Sequence, residues 1–219
     1  MTSIFSRDQA KRFYDRFGAK QDAQGFYEDA AFDVLIAHGD FARAHSVLEI
    51  GCGTGRLAAR LLSDHLPAST RYVGIDISDT MVGLARTRLK PWAGRCAVHM
   101  ADQGFDVASL EGPFDRLVST YVFDLLSRRD TEATLAAAHA VAASGALLCT
   151  AGLTNGTGPL SRATSALWTV IHRVRPSLVG GCRPLVLGDL LPVDRWHVEH
   201  RQVVVSATVP SEVLVARAV

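Results

Sequence analysis

Val47-Leu48-Glu49-Ile50-Gly51-Cys52-Gly53-Thr54-Gly55 constrains this chain more than any other segment. A short apolar run reads as a buried strand. It enters a loop with glycine at every second position, and an amphipathic run follows, with Leu57, Leu61 and Leu62 at helical spacing. Glycines allow the tight turn and let a ligand approach bare backbone. Amides at the start of the helix can face polar ligand groups. A second strand, Arg71–Ile75, ends at Asp76, about twenty residues on, where a carboxylate can accept hydrogen bonds from ribose hydroxyls. The two sites together read as a nucleoside pocket.

The rest of the chain supplies the fold that such a loop requires. Strands are expected at Ser46–Ile50, Arg71–Ile75, Cys96–Met100, Phe114–Ser119 and Ala146–Ala151. Between them helices are expected at Arg56–Leu66, Asp79–Leu89 and Asp130–Ala142. This alternation predicts an α/β, Rossmann-like, doubly wound and mostly parallel sheet. Two further runs, Trp196–Ser206 and Glu212–Ala218, predict an antiparallel terminal hairpin around a turn containing Pro210, making seven strands. Residues 7–40 look helical and carry Phe13, Tyr14, Phe17, Phe26, Tyr27 and Phe32, so residues 1–45 are expected to form a lid over residues 46–219.

At 219 residues and 48% hydrophobic, the chain suits one domain with a sizeable core. Its net charge of +1 gives no indication of a nucleic-acid partner. Cys52, Cys96, Cys149 and Cys182 lie far apart, so neither a disulfide framework nor a zinc site is expected. His197, Glu199 and His200 do not share one strand face, and no metal is expected there. The charged start lacks a signal-peptide run, and Val141–Leu153 is too short and mixed to span a bilayer, so a cytoplasmic setting is the expectation.

The loop also narrows the ligand. A dinucleotide fingerprint is G-x-G-x-x-G, but here the third glycine comes one residue early and Arg56 takes its place. Glu49, two residues before the first glycine, would repel a pyrophosphate and suit a ligand carrying an amino group and a sulfonium. The E-x-G-x-G-x-G pattern resembles motif I of the class I S-adenosylmethionine-dependent methyltransferases. The resemblance continues through Gly74-Ile75-Asp76-Ile77-Ser78 with Met81, Ala101-Asp102-Gln103, Phe114-Asp115-Arg116-Leu117-Val118-Ser119 and the hairpin. It implies an S-adenosylmethionine site built from Glu49, Gly51, Cys52, Gly53, Gly55, Asp76, Ile77, Met81, Asp102, Gln103 and Ser119. The N-terminal segment is similar to the opening helices of ubiquinone/menaquinone-type methyltransferases, which adds Tyr14 and Tyr27.

Against these stand plainer roles: Met81 as ordinary core, Cys52 as a small packed residue rather than a nucleophile, and a cap on the next helix from Ser78 or Asp79. No catalytic residue is fixed; Tyr121 and Asp124, after the fourth strand, are the candidates. Residues 159–191 exceed a simple crossover and are expected to cap an acceptor pocket. The face of Leu160, Leu167, Trp168, Ile171 and Val174 would meet an apolar small molecule, with Tyr27, Tyr121 and Trp168 as contacts. Arg162, Arg173 and Arg175 also suit an anionic membrane surface, a secondary expectation. The rival readings are an NAD(P)-dependent oxidoreductase and a non-catalytic nucleoside-binding scaffold. An RNA methyltransferase would want a basic face or an added RNA-binding domain. The acceptor and the oligomeric state are not legible.

Overall fold

The structure, a computed structural model, describes residues 4–101 and 110–219. Asp102 and Gln103 lie outside the described residues. Seven strands form one sheet in the order β3-β2-β1-β4-β5-β7-β6. They are β1 Ser46–Ile50, β2 Arg71–Asp76, β3 Cys96–Met100, β4 Phe114–Thr120, β5 Ala142–Leu153, β6 Trp196–Ser206 and β7 Val209–Ala218. The first five run parallel; β7 is antiparallel to β5, and β6 to β7. The winding reverses between β1 and β4, and a crevice opens there beyond the carboxyl ends of the strands.

Alternation along the strands explains how both faces are covered. Val47 and Tyr72 point to the side packed by α2 (Gly25–His38), α3 (Arg56–Asp64) and α4 (Asp79–Arg88). Leu48, Ile50, Val73 and Ile75 point to the other side, which is covered by α5 (Arg128–Ala140) and a 3-10 turn at Leu187–Leu190. In the sequence Leu185–Leu191 reads as a short apolar helix; in the structure only Leu187–Leu190 turns, and as a 3-10 turn. Residues 7–40 form α1 (Arg7–Phe17), a 3-10 segment (Gly18–Gln24) and α2. Helix α1 opens on a capping box, Ser6 Oγ accepting from Gln9 N and Gln9 Oε1 from Ser6 N.

Several boundaries differ from the sequence expectation, and two have a clear local reason. Helix α5 begins two residues early because Ser127 caps it, its Oγ accepting from Asp130 N at 3.1 Å, and it ends at Ala140, just before β5 opens at Ala142. The terminal turn is Ala207-Thr208, both at positive φ (46° and 69°), and Pro210 lies inside β7 opposite Val205. In a two-residue hairpin the closing pair, Ser206 and Val209, is the hydrogen-bonded one and the next pair is not. Pro210 therefore loses no ladder bond to β6, and its carbonyl accepts from Thr154 N at 3.1 Å.

Helix α2 is fastened to the sheet by Arg116 of β4. Its Nε donates to Gly39 O and its Nη2 to Asp40 O, both at 2.7 Å, closing the carbonyl end of the helix. Arg116 and Gly39 are buried, so the Gly39 carbonyl has no water to turn to, while Asp40 is exposed. Arg116→Met leaves the Gly39 carbonyl unsatisfied and removes the bond to Asp40, and should cost about 2–4 kcal/mol. At this chain length that lowers Tm by roughly 5–12 °C, measurable by thermal denaturation; an unchanged Tm would show that α2 is held some other way.

Candidate functional site

The glycine loop hugs the end of β2. Gly51 N and Cys52 N both donate to Ile75 O, at 2.8 and 3.0 Å. Gly51, Gly53 and Gly55 all have positive φ (75°, 52° and 76°), a path that disfavours side chains. Gly55 does not face the crevice: a Cβ there would press on Ala85 and Leu89 at 3.2–3.3 Å, so it allows α3 and α4 to pack closely.

Asp76 ties loop and strand together. Its Oδ2 accepts from Gly53 N and its Oδ1 from Ser78 N, each at 2.9 Å. Burial raises its pKa, and the amides of Ser78, Gly53 and Ile77 draw it back. The cap of α4 comes from Ser78, whose Oγ accepts from Met81 N at 3.2 Å. Asp76 borders a small cavity with Ile77, Met81, Gly51, Gly53 and Tyr14. Ser119 is buried, and its hydroxyl has no hydrogen-bond partner among the described residues.

Glu49 is almost wholly buried and accepts from Tyr72 Oη at 2.8 Å. Burial pushes its pKa up to about 8; Tyr72 opposes this, and the nearby Asp76 adds to it. Glu49 borders a second cavity with Glu28, Asp22, Cys52, Arg56, Thr120 and Tyr121. Glu28 is pushed up to about 7 by burial against the pull of Arg56, which pairs with it at 2.5 Å and with Asp29. The Cys52 thiol is buried against Gly74 and raised well above its ordinary pKa, the behaviour of a packed residue and not of a nucleophile.

Gln21 separates the two cavities, which measure about 30 and 50 Å³, and borders both. Its amide lies 2.7 Å from where a Gly53 Cβ would stand, and its Oε1 is buried without a partner among the described residues. Asp22 beside it pairs with Arg88 at 2.5 Å and accepts from Thr54 Oγ1 at 2.6 Å, latching the 3-10 segment onto the loop. Gly51, Thr120 and Tyr121 also line both cavities, so Gln21 stands over the loop where the two meet. Gln21, Asp22, Glu28 and Thr120 carry no motif and are not legible as site residues in the sequence.

An aromatic cluster adjoins the second cavity. Tyr121 has a positive φ of 55°, a strained state for a non-glycine residue, and hydrogen-bonds Ser211 Oγ at 2.8 Å. Tyr27 meets it edge-on at 5.6 Å and Trp168 at 6.4 Å, while Tyr14 Oη donates to Gly180 O at 3.4 Å. Asp124 is fully buried; its Oδ2 accepts from Leu153 N at 2.8 Å, whereas Oδ1 is unpartnered among the described residues. Burial raises Asp124 to about 7.

The 159–191 segment differs from its expected orientation. In α6 (Pro159–Val174) Trp168 turns inward, its Nε1 donating to Cys182 O at 3.0 Å. Leu160, Leu167 and Val174 face solvent instead of a pocket. Among the described residues no cluster of His, Cys, Asp and Glu could hold a metal ion; Glu199 pairs with Arg217, and His200 stacks on His38.

Residues 48–148 match the family model of a methyltransferase domain. No curated protein sequence matches the chain. Among solved structures it is similar to the pyocyanin biosynthetic protein PhzM, at 20% identity and a TM-score of 0.66 over 88% of this chain. It spans only 55% of the PhzM chain. The N-methyltransferase NodS from Bradyrhizobium japonicum WM9, solved with S-adenosyl-L-homocysteine, matches over 95% of this chain and 98% of its own, at 18% identity and a TM-score of 0.70. The magnesium protoporphyrin IX methyltransferase ChlM from Synechocystis PCC 6803 matches over 90% and 83%, at 20% identity and a TM-score of 0.62.

The buried carboxyl of Glu49 has a cost that pH exposes. Its folded pKa, about 8, lies above the ordinary 4.5, so it binds its proton on folding. The stability it contributes is full below about pH 4.5 and is lost as pH rises through 8. In the ligand-free protein Glu49→Gln should therefore match the wild type near pH 5 and melt higher at pH 8.5, read by thermal scans across pH. A variant that melts lower than the wild type at pH 8.5 would refute the buried, proton-binding state of Glu49.

Proposed function

We propose that this chain, a class I S-adenosylmethionine-dependent methyltransferase by its matched domain and its fold, passes the methyl group to a small and largely apolar acceptor. The observation that carries this reading is the pair of buried carboxylates, Glu49 and Asp76, on either side of the bare glycine loop. The lining of Glu49, Glu28 and Asp22 suits a donor bearing an ammonium and a sulfonium: Glu28 and Asp22 are paired with Arg56 and Arg88, and Glu49, protonated in the free protein, can give up its proton to an arriving cation. It disfavours the pyrophosphate of a nicotinamide cofactor. The free lone pairs of Asp76 suit ribose hydroxyls, with Ile77 and Met81 beside the base. Gln21 would supply a further hydrogen bond once it swings off Gly53.

When bound, the donor supplies a methyl group already activated by positive charge. What the chain must do is hold the acceptor in line and exclude water. Helices α1 and α2, with the 3-10 segment between them, act as a lid latched by Asp22 on Arg88 and Thr54. Tyr27, Tyr121 and Trp168 present aromatic surface to an apolar acceptor. Asp124 is fully buried and lines neither cavity; with its pKa raised to about 7 and Oδ1 unpartnered among the described residues, it is the group proposed to take a proton from an acceptor hydroxyl or amine that reaches it near neutral pH.

A panel of apolar phenols, amines and carboxylic acids incubated with methyl-labelled S-adenosylmethionine should identify an acceptor. With it, Asp124→Asn should lower kcat by about a hundredfold or more and remove the rise in rate through pH 7, while donor affinity stays near wild type. An unaltered pH–rate profile in that variant would remove Asp124 from the proton path. Label transfer only to RNA or protein would overturn the small-molecule reading.

A further inference from the structure

Helix α6 is inside out. Its buried residues are Ser161, Ser165 and His172, and its inner polar groups are paired. Ser165 Oγ accepts from Gly156 N, and His172 Nε2 lies 3.1 Å from Gly181 O. Its outer face carries Leu160, Leu167, Val170 and Val174, between 55% and 81% exposed, and Leu178 at 67% extends it beyond the helix end. Large aliphatics gathered on one face at the cost of water contact mark an interaction surface.

Charge identifies what meets this face. From residue 133 to residue 188 the sequence has no Asp or Glu, while the exposed Arg162, Arg173 and Arg175 are cationic and form no ion pair among the described residues. Beside the 3-10 turn after α6, Pro176–Val179, lies a groove of about 510 Å³ that Ser177 shares with α1. The groove is lined by Phe5, Phe13, Phe17, Arg12, Arg16 and Lys20. Arg12, Arg16 and Lys20 repeat every four residues and form no ion pair among the described residues. On α1, Arg12 and Arg16 stand one turn apart with only Asp8 a turn before them, and Lys20 follows in the 3-10 segment, so the cations repel one another unless something anionic lies against them. Lys11, one residue away, is by contrast paired with Asp15 and Asp79.

We infer that the outer face of α6 and the adjoining α1 groove dock the protein on an anionic lipid bilayer. The aliphatics and Phe rings enter the interface, and the arginines meet lipid phosphates. A 16-residue helix is about 24 Å long, so it lies along the surface. Among the described residues no helix is long and apolar enough to cross a membrane. A second copy of this chain is the poorer occupant, because a two-fold contact would bring the same arginines together. The inference does not depend on which acceptor is methylated.

The full chain should co-sediment with phosphatidylcholine vesicles containing phosphatidylglycerol, release in high salt, and ignore pure phosphatidylcholine. Arg12→Gln with Arg16→Gln should weaken partitioning roughly thirtyfold. Leu167→Ser with Val170→Ser, at exposed positions that leave the fold intact by circular dichroism, should weaken it comparably. Failure of the wild type to bind anionic vesicles at low salt overturns the inference. So does equal binding to neutral vesicles, or binding unchanged in both double variants. A solution dimer dissolved by Leu167→Ser with Val170→Ser would assign the face to a second copy instead.

Discussion

Everything at this site hangs on one carboxylate, Asp76, held at the tip of β2 by the amides of Gly53 and Ser78. Through Gly53 it fixes the path of the glycine loop, and through Ser78 it fixes the start of α4. The loop can take that path because its glycines tolerate positive φ and because Ile75 O receives two of its amides. The parallel register of β1 and β2 then brings Glu49 opposite Gly74, with Tyr72 reaching its carboxylate. Two acids are thus buried within one crevice, at the point where the strand order reverses.

Burying carboxylates without a fixed cation is costly, and the structure shows where that cost is held. Glu49 keeps its proton up to about pH 8, and Glu28 leans on Arg56. Arrival of a cationic ligand would relieve both groups at once, so what destabilises the free protein favours the loaded one. The 3-10 segment adds to this arrangement: it seats Gln21 against Gly53 and ties Asp22 to Arg88 and Thr54.

The sheet, the position of the loop and the identity of Asp76 were legible in the sequence because each rests on local rules: apolar runs of strand length, glycines at fixed offsets, a carboxylate at a strand end. What lay beyond reading depended on tertiary approach. Gln21 and Asp22 look like any polar residues of a connecting segment, and only the fold brings them over Gly53 and Thr54. Helix α6 misled for a related reason. Its aliphatic stripe predicts an inward apolar face, yet the serines pack inside, where Ser165 and Ser161 accept from Gly156 N and Gly158 N of the preceding loop as the helix lies against β7. Pro210 read as a turn because its lack of an amide usually ends a strand, and only the hairpin phase shows that nothing is lost.

The central claim is that the acids around the glycine loop select a cationic nucleoside donor over a dinucleotide. Isothermal titration of the full chain with S-adenosylmethionine, S-adenosylhomocysteine and NADH, in the wild type and in Asp76→Ala, tests it most directly. The account predicts binding of the first two ligands, no heat from NADH, and a loss of at least about tenfold in affinity when Asp76 is replaced, as expected for lost charge-assisted hydrogen bonds. A wild-type protein that binds NADH and neither adenosyl ligand would contradict it.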